Sequence, residues 1–296
     1  MDFRQLKSFA AVVEYRSFSK AAEKLHSAQP TISTHIRQLE EELNTRLILR
    51  TTKSIEVTPR GWDAYQYATK ILDLRDRIME SCSSTSRSII RLGASTIPAA
   101  YILPDALSKY AATHPDTYFV TNQLHSSEVI DGVLDGRYDV GLTGICVEQD
   151  GLICIPFCKN RLVLITPVTE QYLNMQKQIH PPIEKLLKEP IVLREIGSKK
   201  SANRFLESLG IQEDDLNVVA RVNDQETVKN MVTKGMGVSL ISHIAARDLV
   251  RERRLLQFEL PGYDTHRELY LVYRSRFGAQ PEVEEFVKYM QNYEVR

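Results

Sequence analysis

The 296-residue chain has only four cysteines, Cys82, Cys146, Cys154 and Cys158, with no CxxC pair and no histidine nearby at finger-like spacing. A structural zinc site is excluded on that spacing. Buried thiols in a reducing compartment are expected, and with only Lys159 beside them Cys154 and Cys158 make a poor redox pair. No apolar run approaches the ~20 residues of a membrane-spanning helix, so no membrane partner is expected. The N-terminus, MDFRQLKSFAAVVEYRSFSKAAEKL, scatters charge where a secretory signal has an apolar core, which points to the cytoplasm. Nucleophile elbow, phosphate loop and metal-ligand cluster are all missing. His125, Glu128, Asp139 and the cysteines remain as acid, base or nucleophile candidates, and no motif joins them. Neither an enzyme nor a metal or cofactor is expected.

What is present is ordinary globular material, 43% hydrophobic and 26% charged, in a chain too long for one core. The net charge is zero, but it is unevenly placed. Residues 1–61 hold ten Lys or Arg against seven Asp or Glu, leaving this head at +3 and the remainder at −3. A modestly basic head on an acidic body suits contact with phosphates.

Phe3, Leu6, Phe9, Ala10 and Val13 recur at helical spacing. Ser17 opens a second helix with Phe18, Ala21, Ala22 and Leu25 inside. A third follows, capped by Ser27 or Gln29, with Pro30 in its first turn and Ile32, Ile36, Leu39 and Leu43 buried. The short second loop gives a helix-turn-helix, whose second helix presents its front to the major groove. Gln29, Pro30, Thr31, Ser33 and Thr34 are short polar groups suited to base edges, His35 assists on that face, and Arg37 reaches a phosphate or a guanine. Residues 47–58 read as a wing with Arg50, Thr51 and Lys53 gripping the flanking backbone, before Pro59 and Gly61 as punctuation. From Trp62 a further helix carries a seam of Ala64, Tyr67, Ile71, Leu74, Ile78 and Ser81, which a second copy of the chain would cover.

Beyond Ile89, short β runs alternate with helices through two cycles, which predicts α/β lobes with mostly parallel sheets and a cleft between them. Ligands sit at the C-terminal ends of such strands. There GASTIP places Ser95 and Thr96, the next turn holds His125, Ser126 and Ser127, and Thr143 ends YDVGLTG. On the other lobe Gly197, Ser198, Lys199, Lys200 and Ser201 open a helix. Ser95, Thr96, Ser127, Thr143, Ser198 and Ser201 are the candidate effector contacts, binding an anion through hydroxyls and helix N-termini.

The stretch Phe9 to Leu43, F-x-x-V-x-E-x-x-S-F-S-x-A-A-x-x-L-x-x-x-Q-P-T-I-S-x-x-I-x-x-L-E-x-x-L, resembles the N-terminal signature of LysR-type transcriptional regulators. R-T-T-K at Arg50–Lys53 and T-P-R-G at Thr58–Gly61 extend that resemblance. It implies a winged helix-turn-helix over 1–61, a linker and dimerisation helix over 62–88, and a two-lobed periplasmic-binding-protein-like effector domain over 89–296. Lobe I would comprise 89–165 and 268–296, and lobe II 166–267. The implied partners are double-stranded operator DNA, a small-molecule effector, a second copy in a dimer or tetramer, and RNA polymerase. One departure is Thr34, where relatives often carry arginine, which leaves base preference at that step open. GASTIP, the following ILP and LVLITP resemble the branch linked to sulfur or selenium metabolism. A solute-binding protein would share the lobes but needs an export signal and has no use for the head.

Overall fold

The computed structural model describes residues 1–50, 55–81, 88–179, 181–194, 199–260, 266–275 and 281–295. They form two compact units, Met1–Arg87 and Ser88–Arg296.

In the first unit, α1 (Phe3–Tyr15), α2 (Phe18–Lys24) and α3 (Gln29–Glu42) enclose Phe9, Val12, Ala21, Ile32, Ile36 and Leu39. Asp2 and Gln5 cap α1 reciprocally, each side chain accepting the other's backbone N–H, and Ser17 caps α2. α3 starts otherwise than expected. Its cap is Ala28, and neither Ser27 nor Gln29 closes the first turn, where Pro30 has no N–H to satisfy. A wing of two antiparallel strands follows, β1 (Ile48–Arg50) and β2 (Ile55–Val57), with Ile48 opposite Val57. The wing residues Thr51 and Lys53 lie outside the described residues, as does the side chain of Arg50.

The next helix, α4 (Pro59–Ser81), starts before Trp62. Thr58 explains the early start, since its hydroxyl donates to the Arg46 carbonyl at 2.8 Å and accepts the Gly61 N–H at 2.9 Å. Gly61 is a close-packing position inside the helix rather than punctuation, because a Cβ there would collide with the Leu47 carbonyl oxygen. The expected seam divides into two faces. Ala64, Ala68, Ile71 and Leu72 pack on the core of their own unit, while Tyr67, Leu74 and Ile78 stand exposed.

The second unit begins with β3 (Ser88–Ala94), a π-helical turn at Pro98–Ile102, α5 (Leu103–Thr113), β4 (Thr117–Gln123), α6 (Ser126–Leu134) and β5 (Val140–Thr143). β6 (Leu152–Thr166) leads to α7 (Glu170–Gln176), α8 (Ile183–Leu186), β7 (Ile191–Arg194) and α9 (Lys199–Ser208). Then come β8 (Val218–Val222), α10 (Gln225–Thr233), β9 (Ser239–Ser242), α11 (His243–Arg251), β10 (Leu256–Phe258), β11 (His266–Arg274) and α12 (Pro281–Gln291). Lobe I orders its strands β6, β11, β5, β3, β4, with β3 parallel to both β4 and β5. In lobe II the far half of β6 lies between β9 and β10, and β7 pairs with β8 and bridges from Ile191 to Val238.

The sheets are therefore mixed rather than mostly parallel. β11 runs antiparallel to β5 and β6, and β9 and β10 antiparallel to β6, because one continuous strand serves both lobes. The changeover falls between Arg161, paired with His266, and Leu162, paired with Ser242. Asn160 secures it, its side-chain oxygen accepting from the Ser242 hydroxyl at 2.7 Å and the Arg161 N–H at 2.9 Å. Ile90, Leu92, Val140, Leu142, Leu271 and Phe286 fill lobe I, and Leu164, Phe205, Val238, Leu240 and Phe258 fill lobe II.

The cysteines also depart from expectation. Cys146, exposed on the turn before β6, is disulfide-bonded to Cys154. Cys158 is a free, half-buried thiol pushed up to about 11 by burial, and Cys82 lies outside the described residues.

Candidate nucleic-acid interface and effector site

Ile32, Ile36, Leu39 and Glu40 turn α3 toward the core, which leaves Gln29, Pro30, Thr31, Thr34 and Arg37 exposed and Ser33 at the margin. The exposed face is polar and short at the helix start, as major-groove readout requires. Gln29 donates to the Ser33 hydroxyl at 3.1 Å, and Thr34 returns its hydroxyl to the Pro30 carbonyl at 2.9 Å. His35 is the exception. Its ring shares a 2.8 Å hydrogen bond with buried Ser8 of α1, so it braces two helices.

Arg46 is a residue that sequence reasoning missed. It stands with Arg37 beside a 510 Å³ groove between α3 and β1, lined also by Ser33, Thr34, Ile48 and Leu49. Arg46 is exposed, and its only described ion pair is with Glu40 at 2.9 Å. Two cations beside a groove along the middle and C-terminal part of this helix are placed for phosphate oxygens. The positive excess of the head was legible, but not which of its cations lay on this face.

In the second unit Ser95 and Thr96 follow β3, where the Ser95 N–H donates to Leu142 at 2.8 Å. Thr96 accepts from Nη2 of Arg194 at 3.3 Å, which joins the C-terminal ends of β3 and β7 across the two lobes. Arg194 also donates to the side-chain oxygen of Gln225 at 2.9 Å, and burial pulls its pKa below the ordinary value. A second tie lies alongside, from the Tyr101 hydroxyl to Glu226 at 2.5 Å. Lys229, itself buried, pairs with Glu226 at 2.7 Å and sits over the Tyr101 ring. Burial foremost, then the bond to Glu226, pushes the Tyr101 phenol far above its usual range, so it stays a donor.

The other expected contacts distribute unevenly. Thr143 is fully buried and spends its hydroxyl on the Ile145 carbonyl at 2.6 Å. Ser127 is exposed in the first turn of α6, whose preceding residue, Ser126, accepts the Gly144 N–H at 3.3 Å. Ser198 and the side chain of Ser201 lie outside the described residues. Arg194, Gln225, Tyr101 and Glu226 were not anticipated, and the legible signal was an arginine closing the strand run PIVLR. The enzyme candidates have structural duties. Asp139 is buried and accepts the Arg91 N–H at 2.8 Å, and Glu128 accepts the His125 N–H at 3.0 Å. Among the described residues no cluster of three or more His, Cys, Asp or Glu is placed to hold a metal, and no helix is long and apolar enough to cross a membrane.

A winged helix-turn-helix carried with a two-lobed α/β sensor defines a DNA-binding transcriptional regulator rather than an enzyme. The chain belongs to the LysR family: residues 3–62 match the bacterial regulatory helix-turn-helix protein, lysR family, and residues 83–294 the LysR substrate binding domain. An uncharacterized HTH-type transcriptional regulator of Methanocaldococcus jannaschii is 31% identical over 280 residues, 93% of each chain. The RuBisCO operon transcriptional regulator of Allochromatium vinosum is 27% identical over 98% of this chain and 95% of its own. The HTH-type transcriptional regulator CysL of Bacillus subtilis is 28% identical over 91% and 90%. The fold matches that of full-length CbnR complexed with its target DNA at a TM-score of 0.79 and 21% identity, covering 98% of this chain and 99% of that one.

Proposed function

We propose that this regulator responds to a small anionic metabolite held between its lobes at the ends of β3 and β7, with Ser95 and Thr96 as contacts. The observation that carries the reading is the Thr96–Arg194 hydrogen bond, which brings the two strand ends together across the cleft. In α/β lobes that is where ligands bind. The reading needs no metal and no cofactor, since hydroxyls and backbone N–H groups supply the donors. Sulfur and selenium compounds are the first candidates on the GASTIP, ILP and LVLITP resemblance. CysL, a relative, and the RuBisCO operon regulators stand at comparable identity. A thermal-shift screen of the purified protein against sulfate, thiosulfate, selenium oxyanions, acetylserine and aromatic acids therefore tests effector class. Thr96→Val keeps the size and removes the hydroxyl, so the stabilising compound should lose its effect on that variant. A full response would place the site elsewhere.

The functional unit is a cytoplasmic dimer, or a tetramer built from dimers, that binds operator DNA and acts on RNA polymerase. Exposed Tyr67, Leu74 and Ile78 on one face of α4 support self-association through that helix. Effector preference for one lobe arrangement then sets the regulatory response, typically ~1–3 kcal/mol of coupling.

A further inference from the structure

Resting on that cleft reading, we infer that Arg194 and Gln225 are the charge-recognition pair of the effector site, and that its ligand presents an anionic group with two acceptor oxygens to them.

Arg194 closes β7, half-buried. Its described partners are all neutral: the Thr96 hydroxyl, the Gln225 side-chain oxygen and, at 3.5 Å, the Asn223 carbonyl. Among the described residues no carboxylate lies within ion-pairing distance of it. Asp224 is near enough to be felt but not in contact, and one of its carboxylate oxygens accepts the N–H and hydroxyl of Thr227, both at 2.7 Å. Glu226 is engaged by Tyr101 and Lys229. A partly desolvated guanidinium with no carboxylate in direct contact is costly, and an anion with two oxygens matches its fork.

Gln225 adds an independent observation. It is 2% exposed, and its Nε2 has no hydrogen-bond partner. Flipping the amide would set its NH2 group against the guanidinium, donor against donor, so Arg194 fixes the oxygen toward itself and leaves Nε2 as the orphan. Buried donors are nearly always satisfied. An anion seated on Arg194 beside the same amide supplies acceptors for both groups and displaces the weak bond to Thr96. Charge selection then comes from a half-buried cation, while the hydroxyls of Ser95 and Thr96 orient the rest of the ligand.

The test uses the full-length protein and isothermal titration with sodium sulfate, sodium succinate and neutral succinamide, at ionic strength matched with sodium chloride. Sulfate binding alone identifies an inorganic oxyanion and succinate binding alone a carboxylate, and either supports the pair's role if it depends on Arg194. Arg194→Gln should weaken the bound anion about tenfold or more, as expected for a lost charge-assisted pair. Arg194→Lys, which keeps the charge and loses the fork, should weaken it severalfold and carries the test if the glutamine variant does not fold. Gln225→Leu should also weaken it severalfold. Succinamide should bind no better to wild type than to Arg194→Gln. If Thr96→Val loses the anion while both Arg194 variants retain it, the cleft stands and this inference fails. If all three retain it, the cleft reading fails as well. A wild type that binds neither anion at millimolar concentration also overturns the inference.

Discussion

Glu40, near the end of the recognition helix, accepts the backbone N–H of Leu47 at 2.9 Å, and the same oxygen takes the N–H of Ile48 at 3.0 Å. A buried carboxylate thus fixes the strand that begins the wing to the helix that carries the base-reading face. Removing it leaves two buried donors unsatisfied. Glu40→Ala should destabilise the protein by about 2–4 kcal/mol, from two groups at ~1–3 kcal/mol each with partial relaxation. Arg46→Ala removes only the exposed partner of Glu40 and should cost well under 1 kcal/mol. Urea unfolding of both variants measures this, and equal losses would show that the ion pair, not the backbone bonds, is what matters.

On DNA the two kinds of contact should separate. Gln29→Ala or Ser33→Ala should weaken specific operator binding by ~1–3 kcal/mol and leave non-specific binding nearly intact. Arg46→Ala should weaken both and flatten the salt dependence by about one unit of slope. His35→Ala should act on stability through Ser8 and keep the sequence preference. Affinity measured on operator and random DNA at several salt concentrations decides between them. A changed base preference in the His35 variant would return that side chain to the groove.

Assembly is best probed where α4 is exposed. Ile71 packs on its own core, so changing it confounds folding with association, whereas Leu74 and Ile78 are 51% and 62% exposed. Leu74→Asp with Ile78→Asp should sediment as a smaller species and bind the operator more weakly, while unfolding as wild type does. A wild type that is monomeric at micromolar concentration would sink the idea.

What the sequence made legible was periodic. Helices with a buried stripe, the Ser17 cap and the alternation of strands and helices all lie in local spacing. What it hid was decided by partners distant in the chain. Ser27 is a good capping type, yet the cap of α3 falls at Ala28, whose carbonyl takes the N–H groups of Thr31 and Ile32 with no side-chain cap. His35 has the spacing of a groove-facing residue and is claimed by Ser8 across the helix packing. Gly61 resembles a breaker, and only the approach of the Leu47 carbonyl shows why no side chain fits. In the sensor, hydroxyls at strand ends were visible, but Thr143 is consumed by its own loop. Arg194 and Thr96 are 98 residues apart and meet only once both lobes exist.

The cap of α10 offers a pH test close to that meeting point. Hydrogen bonds from the Thr227 hydroxyl first, and from its N–H next, hold the Asp224 carboxyl below its ordinary value. A carboxylate whose folded pKa is depressed stabilises the fold above its unfolded pKa, and that contribution is lost as pH falls toward the folded value. Asp224→Asn preserves a good capping residue and removes the charge from the helix N-terminus. At neutral pH the variant should therefore be less stable than wild type by roughly 0.3–1 kcal/mol, the smaller end being favoured because the group is exposed. Below about pH 4 the wild-type carboxyl begins to protonate, so the two urea midpoints should converge. High salt should shrink the neutral-pH difference by screening. A gap that persists undiminished in acid would mean that cap geometry, not charge, separates the two side chains.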